Sequence, residues 1–192
     1  MDSFGVYVHV PFCATRCGYC DFNTYTPNEV DSSHAQYLDA LERELELAAA
    51  RGLPAADTVF IGGGTPSLFP ASDIDRFLQG AAARLRFAPG LEITLEANPG
   101  TAEHGRFEDY RAAGVNRISF GIQSFDDGCL QRLGRIHDSA SAVLTDDAPR
   151  RSQNPTRDYR LEDESAWTTF STHEKSWAYR QDQLSSTHPI VA

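Results

Sequence analysis

Three cysteines within eight residues, Cys13-Ala14-Thr15-Arg16-Cys17-Gly18-Tyr19-Cys20, are where this sequence concentrates its chemistry. Closely spaced Cys thiolates hold iron–sulfur clusters, usually four at a time. Here there are three and no obvious fourth. A cluster on them would keep one iron open, and an open metal position is where ligands bind and react. One alternative is three unlinked buried thiols, since free Cys often serves as a small apolar residue. Three in one loop, beside Gly18 and Tyr19, argue against that. Another alternative is structural zinc, which would take His9 or His34 as its fourth ligand. The spacing, three residues and then two with no fourth ligand close by, favours a cluster.

The elements that must position this loop can be read from apolar patterning. Gly5-Val6-Tyr7-Val8-His9-Val10 is a short apolar run closed by Pro11, so the cysteines follow the carboxyl end of a buried strand. Ser33 and Gln36 form a capping box for a helix whose Leu38, Leu41, Leu45 and Ala48 share one face. Thr58–Ile61 is a second strand, and Gly62-Gly63-Gly64-Thr65-Pro66-Ser67 follows it at once. A second helix, capped by Ser72, carries Ile74, Phe77, Leu78, Ala81 and Leu85. Glu92–Glu96 is a third strand, followed by a helix around Phe107, Tyr110 and Ala113. Arg117–Ile122 is a fourth, and a last helix begins near Asp126.

Strands alternating with helices, with the strands buried on both faces, predict parallel α/β architecture. Sites in such folds lie at the carboxyl ends of the strands. The cysteines, the glycine run, Glu96 and Gln123 therefore share one rim.

The net charge of −10 argues against a general nucleic-acid surface. No apolar run approaches the ~20 residues of a membrane span, and the first residues lack the pattern of a signal peptide. The expected setting is cytoplasmic and reducing, where clustered cysteines are more often metal ligands than disulfides.

Five motifs in order resemble one family. Tyr7-Val8-His9-Val10-Pro11-Phe12-Cys13 with Cys17 and Cys20 is similar to the opening of radical S-adenosylmethionine (SAM) enzymes. Gly62–Ser67, Glu96-Ala97-Asn98-Pro99, Gly121–Phe125 and Leu133-Gly134-Arg135-Ile136-His137 follow the branch of oxygen-independent coproporphyrinogen III oxidase and the heme chaperone HemW. The resemblance implies a partial TIM-type (β/α)6 radical SAM barrel, with residues 1–138 supplying about the first four β/α units. It also implies a [4Fe-4S] cluster on Cys13, Cys17 and Cys20, with SAM chelating the open iron. Reduction would cleave SAM to methionine and a 5′-deoxyadenosyl radical.

Further SAM contacts implied by the family are Tyr7, Tyr19, Gly63, Gly64, Thr65, Glu96, Gln123 and Arg135. Physical reasons stand beside several of these. Glycines let backbone approach a ligand and expose N–H donors, although a tight turn explains them equally. Glu96 can accept from a ribose hydroxyl or an ammonium group, or simply be a solvated strand end. Gln123 can donate and accept toward ribose or adenine. Arg135 can pair with a carboxylate, or be a surface helix arginine. Cys129 and His137, read as helix residues, receive no role.

Phe22 discriminates within the branch. The oxidases carry a further cysteine two residues after the third cluster ligand, whereas Cys20-Asp21-Phe22 resembles the chaperone. The resemblance then implies heme, hemoprotein acceptors and an electron donor such as flavodoxin or ferredoxin. The oxidase and the zinc module are the alternatives.

From Ser139 the composition changes: residues 1–138 hold no Lys and no Trp, and Lys175, Trp167 and Trp177 all fall later. Residues 139–192 are expected to be a mostly disordered, non-family tail, whether biological or frame-shifted. The missing barrel strands would leave a bare apolar edge and little activity.

Overall fold

The structure is a computed structural model and describes residues 4–99, 104–145 and 156–160. Four strands lie side by side in chain order and run parallel: β1 (Gly5–Val10), β2 (Ala56–Gly63), β3 (Phe87–Ala97) and β4 (Arg117–Gly121). Parallel neighbours need crossovers, and α1 (His34–Ala49), α2 (Ala71–Arg84) and α3 (His104–Ala112) supply them, with α4 (Asp127–Leu133) following β4. The four β/α units expected from the sequence are present.

The local chemistry explains the boundaries. The Ser33 hydroxyl accepts from the Gln36 amide at 3.2 Å, and Gln36 Oε1 accepts from the Ser33 amide at 2.9 Å. The α1 face of Leu38, Leu41, Leu45 and Ala48 is buried as its spacing requires. The start of α2 differs from the expected Ser72 cap. Pro70 is the cap residue, at φ −61°, and no side chain caps the helix. Its ring presets the backbone, and its carbonyl accepts from Asp73 N and Ile74 N at 3.0 and 3.4 Å. The outer faces of α1 and α2 are joined by Arg76 to Asp39 and Glu42, and by Arg84 to Glu46. These pairs are largely solvated and worth little each.

The expectation of strands buried on both faces holds at the centre of β3, where Ile93, Thr94 and Leu95 are all buried, but not along β1 and β4. In β1, Val6, Val8 and Val10 are buried while Tyr7 and His9 between them are half-buried. Side chains alternate along a strand, so the valines face the helices with Val59, Ile61, Leu95, Ile118 and Phe120. The opposite face carries a row set by register, Tyr7↔Phe60↔Thr94↔Arg117, and beyond it His9↔Gly62 and Glu96↔Ser119. That polar row ends at the rim where the sequence placed the site.

Two short elements fall in the segment after Ser139: α5 (Ser139–Thr145) and β5 (Thr156–Arg160). β5 pairs antiparallel with β4, from Arg117↔Arg160 to Gly121↔Thr156. The bare edge expected on β4 is therefore covered. The remaining residues of the predicted tail, 146–155 and 161–192, lie outside the described residues. Among the described residues no helix is long and apolar enough to cross a membrane.

Candidate cluster and cofactor site

The cysteine loop leaves β1 at Val10 and is fixed at several points. Tyr25 N donates to Pro11 O at 2.7 Å, and Cys13 N donates to Tyr25 O at 2.9 Å. Cys20 N donates to Cys17 O at 3.1 Å, closing a turn between those two thiols. Arg16 donates to the Thr24 carbonyl and to Glu29 Oε2. Gly18 N donates to Leu133 O at 3.1 Å, docking the loop on the end of α4. Cys13 is buried, Cys17 and Cys20 are half-buried, and all are free thiols. Burial pushes the Cys13 thiol up, opposed by hydrogen bonding from Thr65.

Arg135 is not on a helix, contrary to one reading of its sequence position. Gly134, at φ +71°, is the left-handed C-cap that ends α4, and Arg135 then turns back across the rim. Nη1 lies 3.3 Å from Cys17 Sγ and 3.3 Å from the Tyr19 hydroxyl. Nη2 donates to Asn98 Oδ1 at 2.5 Å and to Gly121 O at 2.6 Å. Nε is buried without a hydrogen-bond partner. Asn98, unassigned by the sequence reading, extends the connection: its Nδ2 donates to Thr65 Oγ1 at 3.3 Å, and Thr65 Oγ1 reaches Cys13 Sγ at 3.8 Å. Cys17, Arg135, Asn98, Thr65 and Cys13 thus form one polar path between two thiols. It stands in the Glu96-Ala97-Asn98-Pro99 motif, but an Asn before Pro99 reads as a turn residue, so its type suggested no role. Ala14, Thr15 and Ile136 complete the cleft around that path.

The glycine run is tightly enclosed by protein. A Cβ on Gly64 would stand 2.5 Å from Phe12 O, and one on Gly63, at φ +111°, 2.7 Å from His9 Nδ1. Their amides are already engaged: Gly63 N with Glu96 Oε2 at 3.1 Å, and Gly64 N with Val10 O at 2.7 Å. Thr65 N donates to Phe12 O at 2.8 Å. The expectation of N–H donors exposed to a ligand is therefore not what this arrangement presents. The glycines instead let β2 close against the start of the cysteine loop.

Tyr7 stands beside Glu96 on the polar row, and burial first, then the Glu96 charge, raises its phenol well above the ordinary range. Its hydroxyl meets His9 Nδ1 at 3.0 Å, and His9 Nε2 meets Asn23 O at 2.8 Å. Tyr19 is 46% exposed over the loop; burial raises its phenol and the Arg135 charge opposes that. Gln123 sits just past β4 at φ +67°, with Nε2 beside Gly121 and the Arg135 fork. The two histidines weighed as zinc ligands are occupied elsewhere: His9 as above, and His34 with its ring centroid 4.2 Å from that of Phe69.

The donor set suits an iron–sulfur cluster. Three reduced thiols share one loop, and two of them already receive hydrogen bonds, which tune cluster potential. Among the described residues no three metal-ligating side chains converge on a single metal ion; a cluster would take each thiolate on a separate iron.

The family model of the radical SAM superfamily matches residues 7–144. The chain belongs to the radical SAM superfamily. The heme chaperone HemW of Escherichia coli (strain K12) is 48% identical over 140 residues, covering 71% of this chain and 36% of that protein. HemW of Mycobacterium tuberculosis (strain ATCC 25618 / H37Rv) is 47% identical, covering 73% and 36%. Among solved structures, coproporphyrinogen III oxidase (HemN) from Escherichia coli, a radical SAM enzyme, aligns at a TM-score of 0.67 and 29% identity, over 74% of this chain and 33% of its own. The chain thus spans little more than a third of the length of these relatives. The radical SAM match reaches into α5, beyond the residue-138 boundary read from composition.

Proposed function

We propose that Cys13, Cys17 and Cys20 hold a [4Fe-4S] cluster, that SAM binds on the same rim, and that the chain is the radical SAM portion of a HemW-like heme chaperone. The single observation that carries the site is Arg135 reaching from beyond α4 to Cys17 Sγ while Asn98 joins it to Thr65 and Cys13. That arrangement serves a loop whose thiols must be held at fixed charge and position. When bound and reduced by a donor such as flavodoxin or ferredoxin, the cluster and SAM supply reductive cleavage of SAM to methionine and a 5′-deoxyadenosyl radical.

The chain's own residues supply binding and orientation. Arg135 brings positive charge to the cleft, and a guanidinium there can pair with a carboxylate. Glu96 offers a carboxylate oxygen to a ribose hydroxyl or an ammonium group. Gln123 offers both a donor and an acceptor. Tyr7 and Tyr19 flank the cysteine loop, and Gly63, Gly64 and Thr65 shape its approach to β2. A reducing cytoplasm suits thiols that must stay unoxidised.

Phe22, where the oxidases carry a cysteine, favours heme binding and transfer to hemoproteins over porphyrinogen decarboxylation. The HemW relatives support the same choice. The likeness to the HemN structure keeps the oxidase as a second reading.

The test is anaerobic reconstitution of the full chain, followed by iron, sulfide and zinc analysis. Iron and sulfide that are lost in Cys13→Ala support the cluster; zinc without sulfide overturns it. Heme titration is then paired with a coproporphyrinogen decarboxylation assay. Turnover to protoporphyrinogen would replace the chaperone reading with the oxidase.

A further inference from the structure

His137 is a buried titratable side chain that the proposed cofactor chemistry leaves unused. It lies in the bend after α4, 7% exposed, with Nε2 3.0 Å from Ile122 O. A carbonyl oxygen only accepts, so the facing nitrogen carries the proton and the ring is the Nε2–H tautomer. Its Nδ1 is buried without a partner. Burial first, and the nearby Arg135 charge second, hold the ring neutral by lowering its pKa.

The Ile122 carbonyl takes a second bond, from Ser124 N at 2.8 Å. A bond from a residue to the one two before it closes a three-residue γ-turn, here with Gln123 at the centre. At φ +67°, Gln123 adopts the positive-φ form of that turn, which is rare and strained. Among the described residues it is the one non-glycine with positive φ. Glutamine has no short side chain to hydrogen-bond locally in this region, as Asn and Asp have. Such a conformation persists where the surroundings over-determine it.

The turn also decides where the side chain goes. A Cβ on Gly121 would lie 3.4 Å from Gln123 Nε2, 3.1 Å from Asn98 Oδ1 and 3.5 Å from Arg135 Nη2. The carboxamide is therefore folded back to Gly121, the glycine that Asn98 Oδ1 and Arg135 Nη2 also approach.

We infer that His137 is a positioning residue: by holding the Ile122 carbonyl it locks Gln123 in its γ-turn and aims the Gln123 carboxamide at the Asn98–Arg135 corner of the rim. The consequence for ligand binding rests on the proposed reading of that rim as a SAM site, whereas the clamp itself does not.

A stability cycle tests the clamp. With His137 present, Gln123→Gly relieves the strain and raises Tm by about 2–4 °C. In a His137→Ala background the turn relaxes, and the same substitution brings no gain or a loss, because glycine then only adds freedom to the unfolded chain. Equal gains in both backgrounds overturn the inference. Should His137→Ala fail to fold, His137→Phe, which keeps a ring without an N–H, runs the same cycle. His137→Gln restores a donor and with it the gain.

S-adenosylhomocysteine titrated into the cluster-reconstituted chain tests the consequence. Gln123→Ala and His137→Phe each weaken binding about tenfold, the size of one lost hydrogen bond, and the double variant binds no worse than the weaker single. Losses that multiply in the double variant overturn the positioning role. A Gln123→Ala variant that binds as tightly as the parent overturns the ligand reading of Gln123, and the stability cycle still decides the clamp.

Discussion

Arg135 Nη2 and Asn98 Oδ1 meet at 2.5 Å, and through that bond the segment beyond α4 is joined to the end of β3. The same Asn98 donates to Thr65 Oγ1, just past β2. Three separate stretches of chain thus converge on one amide behind the cysteine loop.

Asn98→Ala removes an acceptor from a half-buried guanidinium and a donor from the buried Thr65 hydroxyl. Unfolding free energy in urea should fall by about 1–3 kcal/mol, the range for leaving a buried polar partner unsatisfied. Asn98→Asp keeps an acceptor for Arg135 and should recover part of that loss. A midpoint unchanged in Asn98→Ala would mean that the junction contributes nothing to the fold.

Tyr110 is completely buried, with its hydroxyl 2.8 Å from Phe69 O and 3.2 Å from Ser67 O. The sequence marked it as apolar helix packing and could not show that its tip fastens the turn after the glycine run. Tyr110→Phe should cost about 0.5–1.5 kcal/mol, seen as a lower urea midpoint with an unchanged slope.

What was legible in the sequence was what local chemistry decides. The β1 boundaries, the Ser33–Gln36 capping box and the Asp126 start of α4 rest on neighbouring residues, and the structure has all three. The cysteine loop, the glycine run, Glu96 and Gln123 do gather at one rim, because chain order in a parallel sheet puts successive strand ends together; Arg135 joins them from the end of α4. What escaped depends on distant groups. Asn98 gains its place from Arg135, far along the chain, and the backbone of Gln123 is set by contacts rather than by glutamine's own preferences. β3 begins at Phe87, ahead of the strand read from Glu92, because pairing of Phe87 with Ala56 carries it through Pro89 and Gly90.

His34 and His137 are both held below the ordinary histidine pKa, chiefly by burial; Asp73 opposes the shift at His34, while Arg135 adds to it at His137. The unfolded chain takes up these protons near pH ~6.5, and the native chain does so at lower pH. Between those values the unfolded state binds more protons, so stability falls as pH is lowered. The Tm should be lower at pH 5.5 than at pH 7.5, and His34→Phe should shrink the difference. A Tm that rises on acidification would contradict the sign.

Gly64 and Gly90 separate two reasons for a glycine. A Cβ at Gly64 would stand 2.5 Å from Phe12 O and 2.9 Å from Val10 O, both backbone atoms. Backbone cannot swing aside as a side-chain tip can, so Gly64→Ala forces β2 away from the entry to the cysteine loop. Its cost should reach about 1–3 kcal/mol or more, as for overpacking in a core, and the displaced loop should retain less iron after reconstitution. Gly90 has φ +78° and open space around its added Cβ. There the cost is backbone strain alone, about 1–2 kcal/mol, and Gly90 lies near the start of β3, at the end away from the cysteines. Gly90→Ala should therefore lower Tm yet leave iron content at the parent level. Equal iron loss in the two variants would mean that the metal site senses overall stability, and not the contact of Gly64 with Phe12.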